Sequence, residues 1–181
     1  MAKNRYTVAQ YDDMIARGIL GENDRVELIR GEIVPKIPIS DSHIDSADRL
    51  TALFVAGVSQ IARVSLRNPI HLADSEPEPD VVLKRLADAA SRYSKPDPPA
   101  VYLIIEIADS SLDNDRNVKG PLYAENCIVE YWIVNLVDDC LEVHRQPRPD
   151  GTFADVRTLR RGDTVDVIAL PGVSFAVADI L

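Results

Sequence analysis

Two nearly unbroken apolar runs, VYLIIEI at 101–107 and VEYWIVNL at 129–136, limit what this chain can build. A strand with one wet face alternates apolar and polar residues. A strand apolar at consecutive positions is covered on both faces, so it belongs at the centre of a sheet with helices packed on it. Between the runs, 113–126 reads as a helix disturbed by Gly120-Pro121, because a proline inside a helix removes a donor and clashes, at a cost of about 3 kcal/mol.

The rest of the chain supplies the surroundings. Val8, Tyr11, Met14 and Ile15 have helical spacing, with Gly18 as the stop. DRVELIRGEIVPKIP reads as two short strands meeting at Arg30-Gly31, a hairpin signal. Asp41 or Ser42 caps a second helix, whose inward stripe is Ile44, Ala47, Leu50, Thr51, Phe54, Val58 and Ile61. NPIHL reads as a short strand and 80–84 as another, followed by a polar loop ending in KPDPPA. CLEVHRQ, FADVRTL, DTVDVIAL and VSFAVADIL read as further strands and turns. The expectation is an α/β fold with a mixed central β-sheet flanked by helices and extra C-terminal strands, one domain over 1–181.

Glu106 interrupts the first apolar run. Side chains alternate along a strand, so Tyr102, Ile104, Glu106 and Ala108 share one face. An isolated carboxylate there would cost several kcal/mol or be forced neutral. Asp80 meets the same difficulty at the start of its own strand, delivered by the proline-stiffened EPEPD. If the two strands pair, the carboxylates converge, and two like charges need a cation. Hard oxygen ligands suit Mg2+ or Mn2+. Glu76 and Glu78 read as solvated neighbours. Lys119 and Tyr123 share a helix face at i,i+4, and a lysine beside such a site can stabilise charge on a phosphate. For each acid alone a plain turn or strand-surface role stands beside the functional one.

Composition narrows the partners. The formal net charge is −9, which argues against bulk electrostatic attachment to nucleic acid and leaves room for a local basic groove or a cation-neutralised acidic site. No apolar run approaches a membrane span, and MAKNRYTVAQYDD lacks the apolar middle of a secretory signal. Cys127 and Cys140 read as reduced core cysteines, so a cytoplasmic protein is expected. Arg145, Arg148, Arg157, Arg160 and Arg161 read as solvated turn residues sooner than as a phosphate-contacting rim. His71 and His144 have no supporting context.

Proline before an acid, then a strand carrying Glu, then a lysine, resembles the PD-(D/E)XK nuclease superfamily. The likeness is closest to its Uma branch of restriction-endonuclease-like proteins. RVELIRGEIV, PISDSH, NPIHLADSEPEPDVVL, LIIEIADSSLDNDRNVKGPLYAENCIVEYWIVNL and VADIL carry it, across essentially the whole chain. The resemblance implies a restriction-endonuclease-like core, with Asp80 and Glu106 as ligands of a divalent cation. Ala108 stands where the lysine of the wider superfamily falls, so Lys119 would take that role from the following helix. Glu27 matches an early acidic position and would be a third ligand; Glu32 also matches. His43 matches a histidine at the start of the second helix, where a satisfied core histidine is an equal reading. Departures from the pattern are Gly120 for an apolar residue, Asn126-Cys127 for a glycine-containing turn, Asn135 for Asp, and Arg67 for glutamine.

The function so implied is a Mg2+- or Mn2+-dependent endonuclease that hydrolyses DNA phosphodiester bonds. Its site residues would be Asp80, Glu106, Lys119, Glu27 and His43, the metal ligands Asp80, Glu106 and Glu27. Two sites in twofold symmetry would suit a duplex, so a homodimer is expected. The rival is a catalytically silent interaction or nucleic-acid-binding module that keeps the fold. It draws on the negative charge and on the lack of a dedicated DNA-reading motif.

Overall fold

A computed structural model describes residues 5–86 and 95–181. Helix α1 (Val8–Ala16) starts in a capping box: the Thr7 side chain accepts from the Gln10 amide while Gln10 reaches back to the Thr7 amide. Strands β1 (Val26–Ile29) and β2 (Glu32–Pro35) form the expected hairpin. Its two turn residues, Arg30 and Gly31, both have positive φ, 50° and 77°, the geometry that matches strand twist across a two-residue loop. Helix α2 (Asp41–Val58) is capped one residue earlier than expected, by Ser40, whose hydroxyl accepts from the His43 amide at 3.2 Å.

The central sheet has six strands in the order β3 (Arg63–Leu66), β4 (Val81–Lys84), β5 (Val101–Ala108), β6 (Glu130–Asn135), β7 (Cys140–Pro147) and β8 (Phe153–Leu159). Only β5 and β6 pair in parallel; every other neighbour is antiparallel. A parallel pair needs a crossover, which α3 (Leu112–Asn114), a π-helical turn (Asp115–Lys119) and α4 (Gly120–Glu125) provide. The mixed sheet flanked by helices is as expected.

Both faces of the two apolar strands are covered. Leu103, Ile105, Ile107, Trp132 and Val134 pack on one side against Leu50, Phe54 and Val58 of α2. Ile104, Ala108, Tyr131 and Ile133 pack on the other against Leu122 and Tyr123 of α4. The alternation slips at the start of β5: the register with β4 shifts between Leu83 and Lys84, so Val101 joins the second core and Tyr102 the first.

Several expectations need correction. NPIHL is not a strand; the edge strand is RVSL just before it, and Ile70 and Leu72 are buried from irregular chain. The α2 stripe runs through His43, Ser46, Leu50, Phe54 and Val58, leaving Ile44 and Ile61 exposed. DTVDVIAL yields only β9 (Thr164–Asp166), which pairs with β10 (Ser174–Ala176), and VADI is a short helix, α5 (Val177–Ile180). Cys140 is buried but Cys127 is exposed, at the αL position that ends α4. Most of the polar loop after Lys84 falls at 87–94, outside the described residues.

Candidate active site

Strand register brings the two sequence-marked acids together. Val81 pairs with Ile105 in antiparallel β4–β5, so one step further Asp80 lies opposite Glu106. The main chain ties the junction: Asp80 Oδ2 accepts from the Ile107 amide at 2.9 Å, and the Asp80 amide points at Glu106 Oε2 at 3.4 Å. His43, at the first turn of α2, places Nε2 2.9 Å from Asp80 Oδ1.

The hairpin supplies Glu27. The chain from Ser75 to Pro79, held extended by its prolines, lies beside β1 through a bridge between Leu28 and Glu76. The Glu78 amide then donates to Glu27 Oε2 at 3.1 Å. Glu76 is not a solvated neighbour: it is fully buried, paired with Lys95, and its carboxyl is pushed up chiefly by burial.

The crossover supplies the lysine. Across the π-helical turn the Gly120 amide bonds the Asp115 carbonyl, five residues back, and this wider turn buries Asp115 and Lys119 together. Pro121 follows directly, where an α-helical donor would have been needed. The expected disturbance is therefore present, but it begins ahead of Gly120-Pro121. Lys119 Nζ donates to Glu106 Oε1 at 3.0 Å and stands 3.8 Å from Glu27 Oε2. The Tyr123 hydroxyl donates to the same Glu106 oxygen at 2.7 Å.

Charge is crowded here. Burial raises the Glu106 carboxyl well above the usual range; Lys119 opposes this, while Asp115 and Asp80 add to it. Burial likewise lifts Asp115 to about 6, against the pull of Lys119 and Ser111. Burial works against the Lys119 charge, but Glu106, Glu27 and Asp115 outweigh it and hold the ammonium protonated. These side chains line a cleft of ≈ 440 Å³ whose mouth carries Arg25, Lys36 and Arg67.

Asp80, Glu106, Lys119, Glu27 and His43 thus meet in one cleft. Glu32 lines a neighbouring cavity instead. The late arginines are elsewhere: Arg145 pairs with Glu130, Arg157 with Asp155 and Arg161 with Asp139. Asp115 joins them in the cleft without a mark in the sequence pattern, since it lies four residues before Lys119 in a helical segment. That spacing usually marks a surface ion pair. Among the described residues, no three His, Cys, Asp or Glu groups stand at metal-holding spacing. The oxygens of Asp80 and Glu106 are instead taken up by Lys119, Tyr123, His43 and main-chain amides. The donor chemistry nevertheless suits a divalent cation: hard carboxylate oxygens, from opposed register positions, with negative charge that one lysine does not balance.

Comparison with known proteins agrees with this architecture. No curated protein matches. The crystal structure of a "putative nuclease belonging to DUF820" from Anabaena variabilis ATCC 29413 shares the fold, with a TM-score of 0.73 at 16% identity over 96% of each chain. A family model described as "Putative restriction endonuclease" matches residues 8–178. The chain belongs to that family, Uma2.

Proposed function

We propose that this protein is an endonuclease that hydrolyses DNA phosphodiester bonds with a divalent cation, Mg2+ or Mn2+. Asp80 and Glu106 would hold the ion, with Glu27 reaching in from the hairpin. The observation that carries the reading is the register: Asp80 and Glu106 face each other across two paired strands, and Lys119 sits on Glu106. A cation bound there lowers the pKa of water and offsets charge on a phosphoryl group. Lys119, kept protonated by its acidic neighbours, is the residue to stabilise negative charge on the phosphate. His43 fixes Asp80 by occupying Oδ1, leaving the carboxylate one orientation. A homodimer acting in the cytoplasm fits such an activity, because two clefts related by a twofold axis serve the two strands of a duplex.

The test is cleavage of plasmid and short duplexes with Mg2+ or Mn2+, comparing wild type with Asp80→Asn and Glu106→Gln. Loss in both variants supports the reading; equal activity in all three rejects it.

One observation favours a silent binding module instead. The carboxylates are already engaged by protein donors, without a three-group ligand cluster among the described residues. Calorimetry separates the two: a module of that kind takes up neither Mg2+ nor Mn2+.

A further inference from the structure

The cleft described above has an acidic floor, yet the proposed substrate is a polyanion. A chain with a net charge of −9 needs some group to admit a phosphodiester. Four cations other than histidine line the cleft: Arg25, Lys36, Arg67 and Lys119. Two of them are spoken for. Lys36 pairs with Glu78, and Lys119 with Glu106 and Glu27. Arg25 and Arg67 are exposed, and among the described residues neither guanidinium has a hydrogen bond or ion pair.

Both are fixed by main chain to the acids. Leu66 pairs with Val81, and Val81 with Ile105, so the next positions form a transverse row of Arg67, Asp80 and Glu106 across three strands. The Arg67 amide donates to the Pro79 and Asp80 carbonyls at 3.1 and 3.2 Å. Arg25 stands two residues before Glu27, and its carbonyl accepts from the Lys36 amide at 2.8 Å, closing the open end of the hairpin. Each arginine therefore sits beside one of the two acid-bearing elements, and both line the cleft.

The backbone adds a second observation. Arg25 and Arg67 both have φ of 46°, a left-handed conformation that costs a residue with a Cβ about 1 kcal/mol or more and that glycine adopts freely. Long cationic side chains held at two strained positions around one cleft point to use of the side chain. A guanidinium matches a phosphate with two parallel hydrogen bonds.

We propose that Arg25 and Arg67 are a pair of phosphate-contacting residues that grip the DNA backbone at the cleft mouth and seat the strand over Asp80 and Glu106. This rests on the nuclease reading for its substrate but not on catalysis. Because the contacts are to backbone, they are independent of base sequence.

The test is fluorescence anisotropy of short duplexes of unrelated sequence, in Ca2+ to suppress turnover, over a range of salt. It is paired with steady-state cleavage in Mn2+. Gln at either position keeps the backbone demand unchanged, and melting temperatures check folding. Arg25→Gln and Arg67→Gln should each weaken binding about tenfold on every duplex, and each should lower the slope of log affinity against log salt by about 1. Lysine at the same positions should restore the slope but only part of the affinity. In cleavage, KM should rise while kcat holds. Unchanged affinity and slope in the Arg25→Gln/Arg67→Gln double variant overturns the proposal, whether or not wild type cleaves. So does a wild type that binds no duplex. A wild type that binds with arginine-dependent slope yet cuts nothing keeps this pair and removes the nuclease reading.

Discussion

Tyr123 donates its hydroxyl proton to Glu106 Oε1 at 2.7 Å, in a place where both side chains are closed to solvent. Burial, with Glu106 beside it, lifts the phenol well above its usual range, so the tyrosine stays a donor. Lys119 uses the same oxygen. One carboxylate oxygen thus carries two donors from successive turns of the crossover.

Tyr123→Phe should remove one of those donors without opening a cavity. A buried hydrogen bond to a charged group contributes about 1.5–3 kcal/mol, and urea unfolding should show a loss of that size. A variant as stable as wild type would mean that Lys119 alone satisfies Glu106.

Lys119→Met leaves Glu106 buried beside Asp115 and Asp80 without its cation. Breaking a buried pair from one side costs about 3–5 kcal/mol. Adding Glu106→Gln should recover part of that loss and none of the cleavage activity. Additive losses in this double-mutant cycle would show that the pair does not act as one unit.

Asp115 gives the site a pH dependence. Its folded carboxyl is raised from 3.8 to about 6, so the folded chain holds a proton that the unfolded chain releases. Its contribution is fully present below 3.8 and is lost as pH rises through about 6, a change of about 3 kcal/mol. Unfolding of wild type and Asp115→Asn, both in EDTA, should therefore differ by a stability gap that grows over that window. A gap that stays constant with pH would remove Asp115 as its source.

Gly57 lies in α2, where alanine normally gains about 1 kcal/mol over glycine. A Cβ there would meet Cε1 of Phe175 at 2.9 Å, and Phe175 is itself packed on Phe54 with ring centroids 4.7 Å apart. Overpacking costs about 1–3 kcal/mol, so Gly57→Ala should lower the melting temperature. A rise would show that Phe175 swings aside freely.

Much of the frame is readable in the residues. The apolar runs announce β5 and β6, and a carboxylate inside the first marks Glu106 as needing a partner. Asp80 follows because EPEPD stiffens its approach. What periodicity conceals is pairing. The strand beside β4 is RVSL, four residues of which the polar Ser65 is buried and Leu66 exposed, so its pattern points the wrong way, while the more apolar NPIHL stays irregular. The π-helical turn is equally silent, since one added residue per turn leaves no mark on composition, yet it is what buries Asp115 with Lys119. The exposure of Cys127 follows from its left-handed backbone at the end of α4, not from its neighbours' hydropathy.

Among the described residues the β1–β2 hairpin is a sheet of its own, tied to the 74–78 chain by the bridge from Leu28 to Glu76, by the Gly31 amide on the Asp74 carbonyl and by the Glu78 amide on Glu27. Asp80 and Glu106 owe their spacing to a continuous ladder; Glu27 and Arg25 ride on a separate arm, seated by buried Leu28 and Ile29. The exposed positions of the arm are therefore its exchangeable part. Changing them alters what enters, while the distance between the opposed acids is inherited from the ladder unchanged.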